Sequence, residues 1–508
     1  MTSRRVEFRR DTYVDSVGLL NVSREMRTVP EVVWASALMG TPANADLLVD
    51  AGFDVEGLRV NDLVLAVEAE TDAAVQAALD VAEQAIRGSE PAPDASTPAT
   101  HQPGDVTEAA EELGDANLAV VSVPGPYAVL EAHKALTAGL HVLLFSDNVP
   151  IADEVALKRR AAKQGLLVMG PGAGTAMLGG TGLGFANVVR HGPVRVIAAA
   201  GTGAQEVMTL LHRWGSGVSE VIGVGGRDLS REVQATVTRM AIEAPGDQIL
   251  LVVSKPPDPD VAESVLHALD GRRAVCAFIG LDSLPHVPEG VRMAATLDQA
   301  VINTLELLGR DVPDPGENLA AVAGSAAAAL GPDRRSVRGL FSGGTLCYEA
   351  MVVMSKRLGP VHSNIPLREE LGLPAPDGAH VCLDLGEEEY TRGRPHPMID
   401  PLARADELQR VCADPTTAVV LVDVVLGHGS HPDPAGALVE MLERVGKREG
   451  GPQIVAHVVG TELDPQSAPE QQARLEEAGC LVAPTGARAA LLAAAIASRR
   501  PERAEEIP

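Results

Sequence analysis

Two short segments carry the most directed chemistry in the chain. The first reads Ala198-Ala199-Ala200-Gly201-Thr202-Gly203-Ala204-Gln205-Glu206, the second Phe341-Ser342-Gly343-Gly344-Thr345-Leu346-Cys347-Tyr348-Glu349. In each, a strand-like run passes through Gly-Thr into a largely apolar helical stretch. A strand that feeds a helix this directly leaves several backbone N–H groups unpaired and aimed at one point. The macrodipole makes that point attractive to an anion, and glycine lets the anion approach closely. A single Gly-Thr helix start is explained as readily by capping. A repeated one has a second reading, in which two helix starts related by a pseudo-twofold axis face the same phosphate. The binding residues would then be Gly201, Thr202 and Gly203 with Ser342, Gly343, Gly344 and Thr345.

The segment Thr391-Arg392-Gly393-Arg394-Pro395-His396-Pro397-Met398-Ile399-Asp400 is the densest in functional groups. Proline and glycine stiffen a stretch bearing two guanidinium forks, an imidazole and a carboxylate. Arg grips planar oxyanions bidentately and His exchanges protons near neutral pH. Arg392, Arg394 and Asp400 are thus candidate substrate contacts, with His396 as the leading proton-transfer group. The bland alternative is a solvated loop whose arginines pair with Glu387, Glu388 and Glu389. Asp423 and His428 lie at the carboxyl end of a buried strand, the edge where ligands of open α/β sheets collect. Asp423 is a candidate binding residue and His428 a reserve catalytic one, although both also fit structural capping. Their neighbours His431 and Asp433 form a loose metal-like group without a supporting Cys or HxxxH pattern, and no metal is expected. Arg227, in Gly225-Gly226-Arg227-Asp228, is either a second phosphate-facing guanidinium or half of an Arg–Asp turn pair.

Alternating strands and helices must position these groups. Residues 1–88 read as a small α+β unit of ferredoxin-like type, with strands near Arg5–Val14 and Val60–Val67 and a helix over Asp72–Ile86. The Pro-rich stretch 89–107 reads as a linker. From 108 onward short apolar strands alternate with helices, the pattern of parallel sheets covered on both faces. Units are expected at 108–190, 191–312 and 336–500, with a linker at 313–335. The last two units look like repeats, each with Gly-Thr and a downstream Pro-Asp-Pro. The Thr-to-Asp separation is 56 residues in the first (202 to 258) and 88 in the second (345 to 433), so the second repeat carries an insertion that contains residues 391–400.

Composition narrows the function. With 42 basic against 69 acidic residues the formal charge is −27, a field that repels nucleic acid and anionic lipid. No apolar run is long enough to span a bilayer, and the basic amino terminus lacks the apolar segment of a signal peptide. The five scattered cysteines fit reduced thiols, so a cytoplasmic location is expected, with no nucleic-acid or membrane partner.

Several motifs together resemble a known family. Val123-Pro124-Gly125-Pro126, Ser146-Asp147-Asn148-Val149-Pro150, Met169-Gly170-Pro171 and Ala200-Gly201-Thr202-Gly203 follow the order of the succinyl-CoA synthetase α subunit, and the second repeat resembles the carboxy-terminal domain of its β subunit. Met39-Gly40-Thr41-Pro42-Ala43-Asn44, Gly225-Gly226-Arg227-Asp228, Ser254-Lys255-Pro256-Pro257 and Gly393-Arg394-Pro395-His396-Pro397-Met398-Ile399-Asp400-Pro401 resemble the FdrA family over the full length. The resemblance implies a Rossmann-like CoA-binding-type domain followed by two flavodoxin-like parallel-sheet domains. It also implies one of two activities, an ADP-forming acyl-CoA synthetase subunit or one subunit of an oxamate carbamoyltransferase. The latter converts oxalurate and phosphate to oxamate and carbamoyl phosphate with partner subunits. Where the synthetase has Gly-His-Ala-Gly, this chain reads Leu281-Asp282-Ser283-Leu284-Pro285-His286, which favours phosphate-dependent carbamoyl transfer over ligation. Phosphate or carbamoyl phosphate is then the expected ligand, coenzyme A a weaker candidate, and a homo-oligomer or a hetero-complex with carbamoyltransferase subunits the expected assembly. A scaffold that binds ligand without turnover is a third alternative. It rests on Gly172-Ala173-Gly174-Thr175, where the family pattern has Asp-Cys-Gly-Thr.

Overall fold

The computed structural model describes residues 2–12, 14, 16–89, 103–281, 286–391, 395–446 and 449–506. They form two compact units, one built from the first 102 residues together with Pro395 and the other from residues 103–391 and from His396 onward. In the first unit strands β1 (Ser3–Arg9), β2 (Val32–Met39) and β3 (Leu63–Ala69) form an antiparallel sheet in the order β1-β3-β2. Helices Ser16–Arg27 and Asp72–Ser89 cover one face through Val22, Met26, Val75 and Leu79, while Leu48 and Phe53 pack on the other through Val64 and Ala66. Buried on both faces, the central strand Leu-Val-Leu-Ala-Val-Glu-Ala reads as a continuous apolar run.

The second unit opens with a three-stranded parallel sheet, β4 (Leu118–Val121), β5 (His141–Leu144) and β6 (Val168–Met169). A hairpin follows, β7 (Thr175–Leu178) and β8 (Thr181–Gly184), and it joins the next sheet rather than this one. The boundary expected at 190 is therefore displaced, because β7 pairs with β10 of the following domain. That domain contains β9 (His191–Ala198), β10 (Val218–Gly223), β11 (Ile249–Ser254), β12 (Ala274–Phe278) and β13 (Val291–Ala294). The last domain contains β14 (Ser336–Phe341), β15 (Val361–Ser363), β16 (His380–Asp384), β17 (Thr417–Val425), β18 (Gln453–Val459) and β19 (Leu481–Ala483).

Sheet order supports the repeat. The first sheet runs β10-β9-β11-β12-β13 and the second β16-β14-β17-β18-β19, the flavodoxin-like order, with β7-β8 or β15 added at one edge. In both, the first strand of the repeat feeds the Gly-Thr helix, Gly201–Arg213 or Gly344–Leu358. The stretch 313–335, expected as a linker, instead carries helix Leu319–Ala328. Its Leu319, Ala323 and Ala326 join the same apolar core as helix Gly486–Ser498.

The repeats exchange caps. Glu206, on the first Gly-Thr helix, accepts from Gly486 N at 3.1 Å, at the start of the last helix of the second repeat. Glu349, its counterpart, accepts from Leu297 N at 2.6 Å, at the start of the last helix of the first repeat. Each glutamate thus satisfies a helix N-terminus of the other repeat, the arrangement a pseudo-twofold axis demands.

Candidate functional site

The two Gly-Thr helix starts meet. A Cβ built on Gly343 would lie 2.8 Å from Thr202 Oγ1, and one built on Gly203 would lie 2.9 Å from Thr345 Cγ2. Each threonine therefore packs into the gap left by the other repeat's glycine. Neither helix has a side-chain cap, and none of the described hydrogen bonds uses the N–H groups of residues 201–203 or 344–346. Gly201, Thr202, Ser342, Gly344 and Thr345 line a common cavity of about 380 Å³. Gln205 lines it as well. Its Nε2 donates to Asn187 Oδ1 at 3.1 Å, while Oε1 is buried without a partner.

The rest of the wall comes from the switch-point loops. Lys255 follows β11, Gly223, Gly225 and Gly226 end β10 or follow it, and Asp147, Phe145 and Gly172 come from the Rossmann-like layer. Phe145 and Phe185 stack at 5.8 Å between ring centroids and Phe185 lies 6.1 Å from the His396 ring. Met398 and Ile399 add to this apolar part of the lining.

Several expected residues have other work. Asp423 is buried beneath the second helix start, accepting from Ser342 N at 2.7 Å, Ser342 Oγ at 2.8 Å and Gly343 N at 2.7 Å, with Arg404 on its outer side at 3.0 Å. It shapes the loop instead of touching the cavity. Arg227 does not line the cavity either, because Glu154 holds it at 2.9 Å and Val149 O at 2.7 Å. Its expected turn partner Asp228 pairs with the buried Lys158 at 2.8 Å. His428 is exposed and outside the lining, with its backbone N–H on Ala186 O. Asp400 accepts from Leu402 N at 3.1 Å as a local cap and lies outside the lining. Arg392 and Arg394 lie outside the described residues.

His396 does line the cavity, with a different character from the one expected. Its Nδ1 accepts from Met398 N at 3.2 Å, so the ring proton sits on Nε2. Burial lowers its pKa to about 4 against the opposing pull of Asp423. The imidazole is therefore a neutral hydrogen-bond donor through the physiological range, not a base near its midpoint. Lys255, which lines the cavity, and Asp384, which adjoins it at Gly344 and Gly386, were not among the expected site residues. Burial pushes Asp384 up to about 7, aided by Glu387 and Asp423 and opposed by the Gly386 N–H and Lys255. The rule that ligands collect beyond the strand ends on either side of the switch point would have pointed to Lys255, which directly follows β11.

Comparison with known proteins agrees with this architecture. Residues 340–496 match the family described as CoA-ligase, and residues 1–103 match the AllF heavy metal-associated domain. The chain is 36% identical over 503 residues to the uncharacterized protein YahF of Escherichia coli, covering 95% of this chain and 96% of that protein. It is 32% identical over 125 residues to a succinate–CoA ligase [ADP-forming] α subunit of Archaeoglobus fulgidus, spanning 43% of that subunit. It is 27% identical over 188 residues to the ADP-forming sulfoacetate-CoA ligase subunit SauD of Bilophila wadsworthia, spanning 63% of it. Among solved structures, a dinucleotide-forming acetyl-coenzyme A synthetase of Candidatus Korarchaeum cryptofilum overlaps 79% of this chain and 86% of its own at 14% identity, with a TM-score of 0.29.

Proposed function

The chain belongs to the FdrA/AllF-like, succinyl-CoA synthetase-like family that includes Escherichia coli YahF, and from that premise we propose that it carries the acyl-phosphate site of an ADP-forming acyl-CoA-ligase-type enzyme. The observation that carries this reading is the convergence of two uncapped helix starts on one cavity. A tetrahedral phosphoanion matches the Lys255 ammonium in charge and would take up the N–H groups of Gly201, Thr202, Gly344 and Thr345, which none of the described hydrogen bonds uses. The phosphate would sit between Thr202 and Thr345, with the acyl group against Phe145, Phe185 and Met398. His396 Nε2–H would donate to the acyl carbonyl as negative charge develops there. A nucleotide-handling partner chain would complete the ligase reaction, and coenzyme A would deliver the thiol.

One observation favours a second reading, carbamoyl transfer through carbamoyl phosphate with co-acting subunits. After Gly280 the chain carries Leu281-Asp282-Ser283-Leu284-Pro285-His286 in place of a Gly-His-Ala-Gly phosphate carrier. Acyl or carbamoyl phosphate would then form directly on the anion held by the helix starts.

The test is calorimetric titration of the full chain with inorganic phosphate, acetyl phosphate and carbamoyl phosphate. Competition among all three for one site supports the reading, and absence of phosphate binding refutes it. Thr202→Val combined with Thr345→Val removes two hydroxyls from the site. At a cost of about 1 kcal/mol per hydroxyl, phosphate affinity should weaken by roughly tenfold or more. Release of carbamoyl phosphate from oxalurate and phosphate, with candidate partner proteins present, would select the second reading. Thioester formation from acyl phosphate and coenzyme A would select the first.

A further inference from the structure

Against Gly344 and Gly386 of the cavity wall lies a carboxyl group that anion binding alone does not use. Asp384 ends β16 at the register position Gly223 holds in the first repeat, since Asp384 pairs with Phe341 as Gly223 pairs with Ala198. The side chain is 4% exposed, and its Oδ1 accepts from Gly386 N at 2.9 Å. Its backbone is pinned on both sides by the Asn364 amide at 2.9 Å. Oδ2 takes part in none of the described hydrogen bonds. It lies where a Cβ on Gly344 would stand, at the first residue of the second Gly-Thr helix, and Lys255 Nζ is 3.5 Å from that same point. His396 Nε2 and Asp384 Oδ1 flank Gly386, at 2.6 and 3.1 Å from its Cβ position.

An acid is therefore held directly against two residues of the cavity wall, one of them the first residue of the second Gly-Thr helix. Lys255, the Gly386 N–H and the helix N-terminus favour its carboxylate. Burial, Glu387 and Asp423 favour the protonated form, and Cys347 below and His396 beside it are neutral neighbours. The balance leaves the group near pH 7. A dianion brought to the same helix start adds a like charge and tips the balance toward protonation.

We propose that Asp384 is the proton carrier of the site, taking up a proton as a phosphoanion binds and delivering it to the atom that leaves the acyl carbon. This rests on the anion-site reading above. In the phosphorolytic direction an oxygen of HPO₄²⁻ attacks the acyl carbon and forms the C–O bond. The bond from that carbon to the leaving nitrogen or sulfur breaks, and the leaving atom keeps the electron pair and takes the Asp384 proton. The carboxylate then recovers a proton from the P–OH of the new acyl phosphate. Atoms and charge balance without an oxidant or reductant.

The experiment is calorimetric titration of the full chain with inorganic sulfate, which stays a dianion, in two buffers of different ionisation enthalpy from about pH 5.5 to 8.5. Proton uptake by the wild type should be near zero at the acid end, about half a proton near pH 7 and larger above it. Asp384→Asn should bind sulfate within about threefold of the wild type at the acid end and take up no proton at any pH. Undiminished uptake in Asp384→Asn, or wild-type uptake independent of pH, overturns the assignment. A wild type that binds neither sulfate nor phosphate instead sinks the anion-site reading, a separate result. Should Asp384→Asn fail to fold, the wild-type pH series decides alone.

Discussion

Thr202 and Thr345 illustrate what single residues contribute, because each fills the space that the opposite glycine leaves. Gly343 has an ordinary negative φ, −108°, so its requirement for glycine is steric and not conformational. A methyl group there would stand 2.8 Å from two Thr202 atoms and 2.9 Å from a third. Gly343→Ala should lower stability by about 1–3 kcal/mol, the usual cost of overpacking. It should also weaken phosphate binding by at least tenfold, because the helix starts must separate. Thermal unfolding and phosphate titration of the one variant check both. The Gly-Thr pairs were legible in sequence because strand, glycine and helix leave a local signature. Asp384 left none. It is an ordinary strand residue, and only its pairing with Phe341 and its closeness to Gly344 and Gly386 give it a role. Asp423 misled for the related reason that proximity to a site in sequence does not tell whether a carboxylate faces it or supports it from below.

Elements explain why the helix starts hold their register. Glu206 and Glu349 occupy matching places, yet the repeats treat them differently. Glu206 meets His457 Nε2 at 2.8 Å, and burial, which would raise its pKa, is outweighed by His457 and the Gly486 N–H, so the carboxylate stays ionised below its ordinary value. Burial, together with the negative charge of Asp298, raises the Glu349 pKa well above the ordinary value despite the Leu297 N–H. The stability linked to Glu206 is present above its unfolded value, near 4.3, and is lost as pH falls through the lower folded one. Glu349 has the opposite sign: its contribution is full below the unfolded value and declines as pH rises toward the folded one. Glu349→Gln should therefore change stability at pH 5 by less than about 1 kcal/mol and flatten the decline toward alkaline pH. Glu206→Gln replaces the carboxylate that accepts from His457 and the Gly486 N–H by an amide, and should cost about 1–3 kcal/mol at pH 7. Denaturant unfolding at several pH values separates the two. The sequence shows both glutamates at equal spacing from Thr202 and Thr345, but nothing in it shows that the caps cross between repeats. The different surroundings of the two glutamates are a separate matter: His457 of β18 and Ala277 of β12 hold equivalent positions, paired with Ala483 and Ala294, so the second repeat offers an imidazole where the first has a methyl group.

At the scale of the molecule the chain divides its labour. The flavodoxin-like type was implied by the family resemblance alone, whereas the strand–helix alternation of both repeats and the small α+β unit were legible because apolar runs and their spacing report strands and helices directly. β2 was not, since Val-Val-Trp-Ala-Ser-Ala-Leu-Met lacks the alternation that marks a half-buried strand, and the hairpin β7-β8 was hidden by its glycines. Residues 1–103 match a heavy metal-associated domain, yet the first cysteine of the chain is Cys276, so no thiolate in that unit could hold a soft metal. The match reports a fold with its own two apolar clusters, around Val22 and around Leu48. Every residue lining the anion cavity lies between Phe145 and Ile399. Produced without residues 1–102, none of which lines the cavity, the chain should bind sulfate within about twofold of the full-length affinity. Residues 1–102 alone should unfold in a single cooperative transition, as expected of a unit with a core of its own. Loss of sulfate binding by a truncated protein whose near-ultraviolet spectrum is otherwise preserved would mean that the first unit supplies a group to the site.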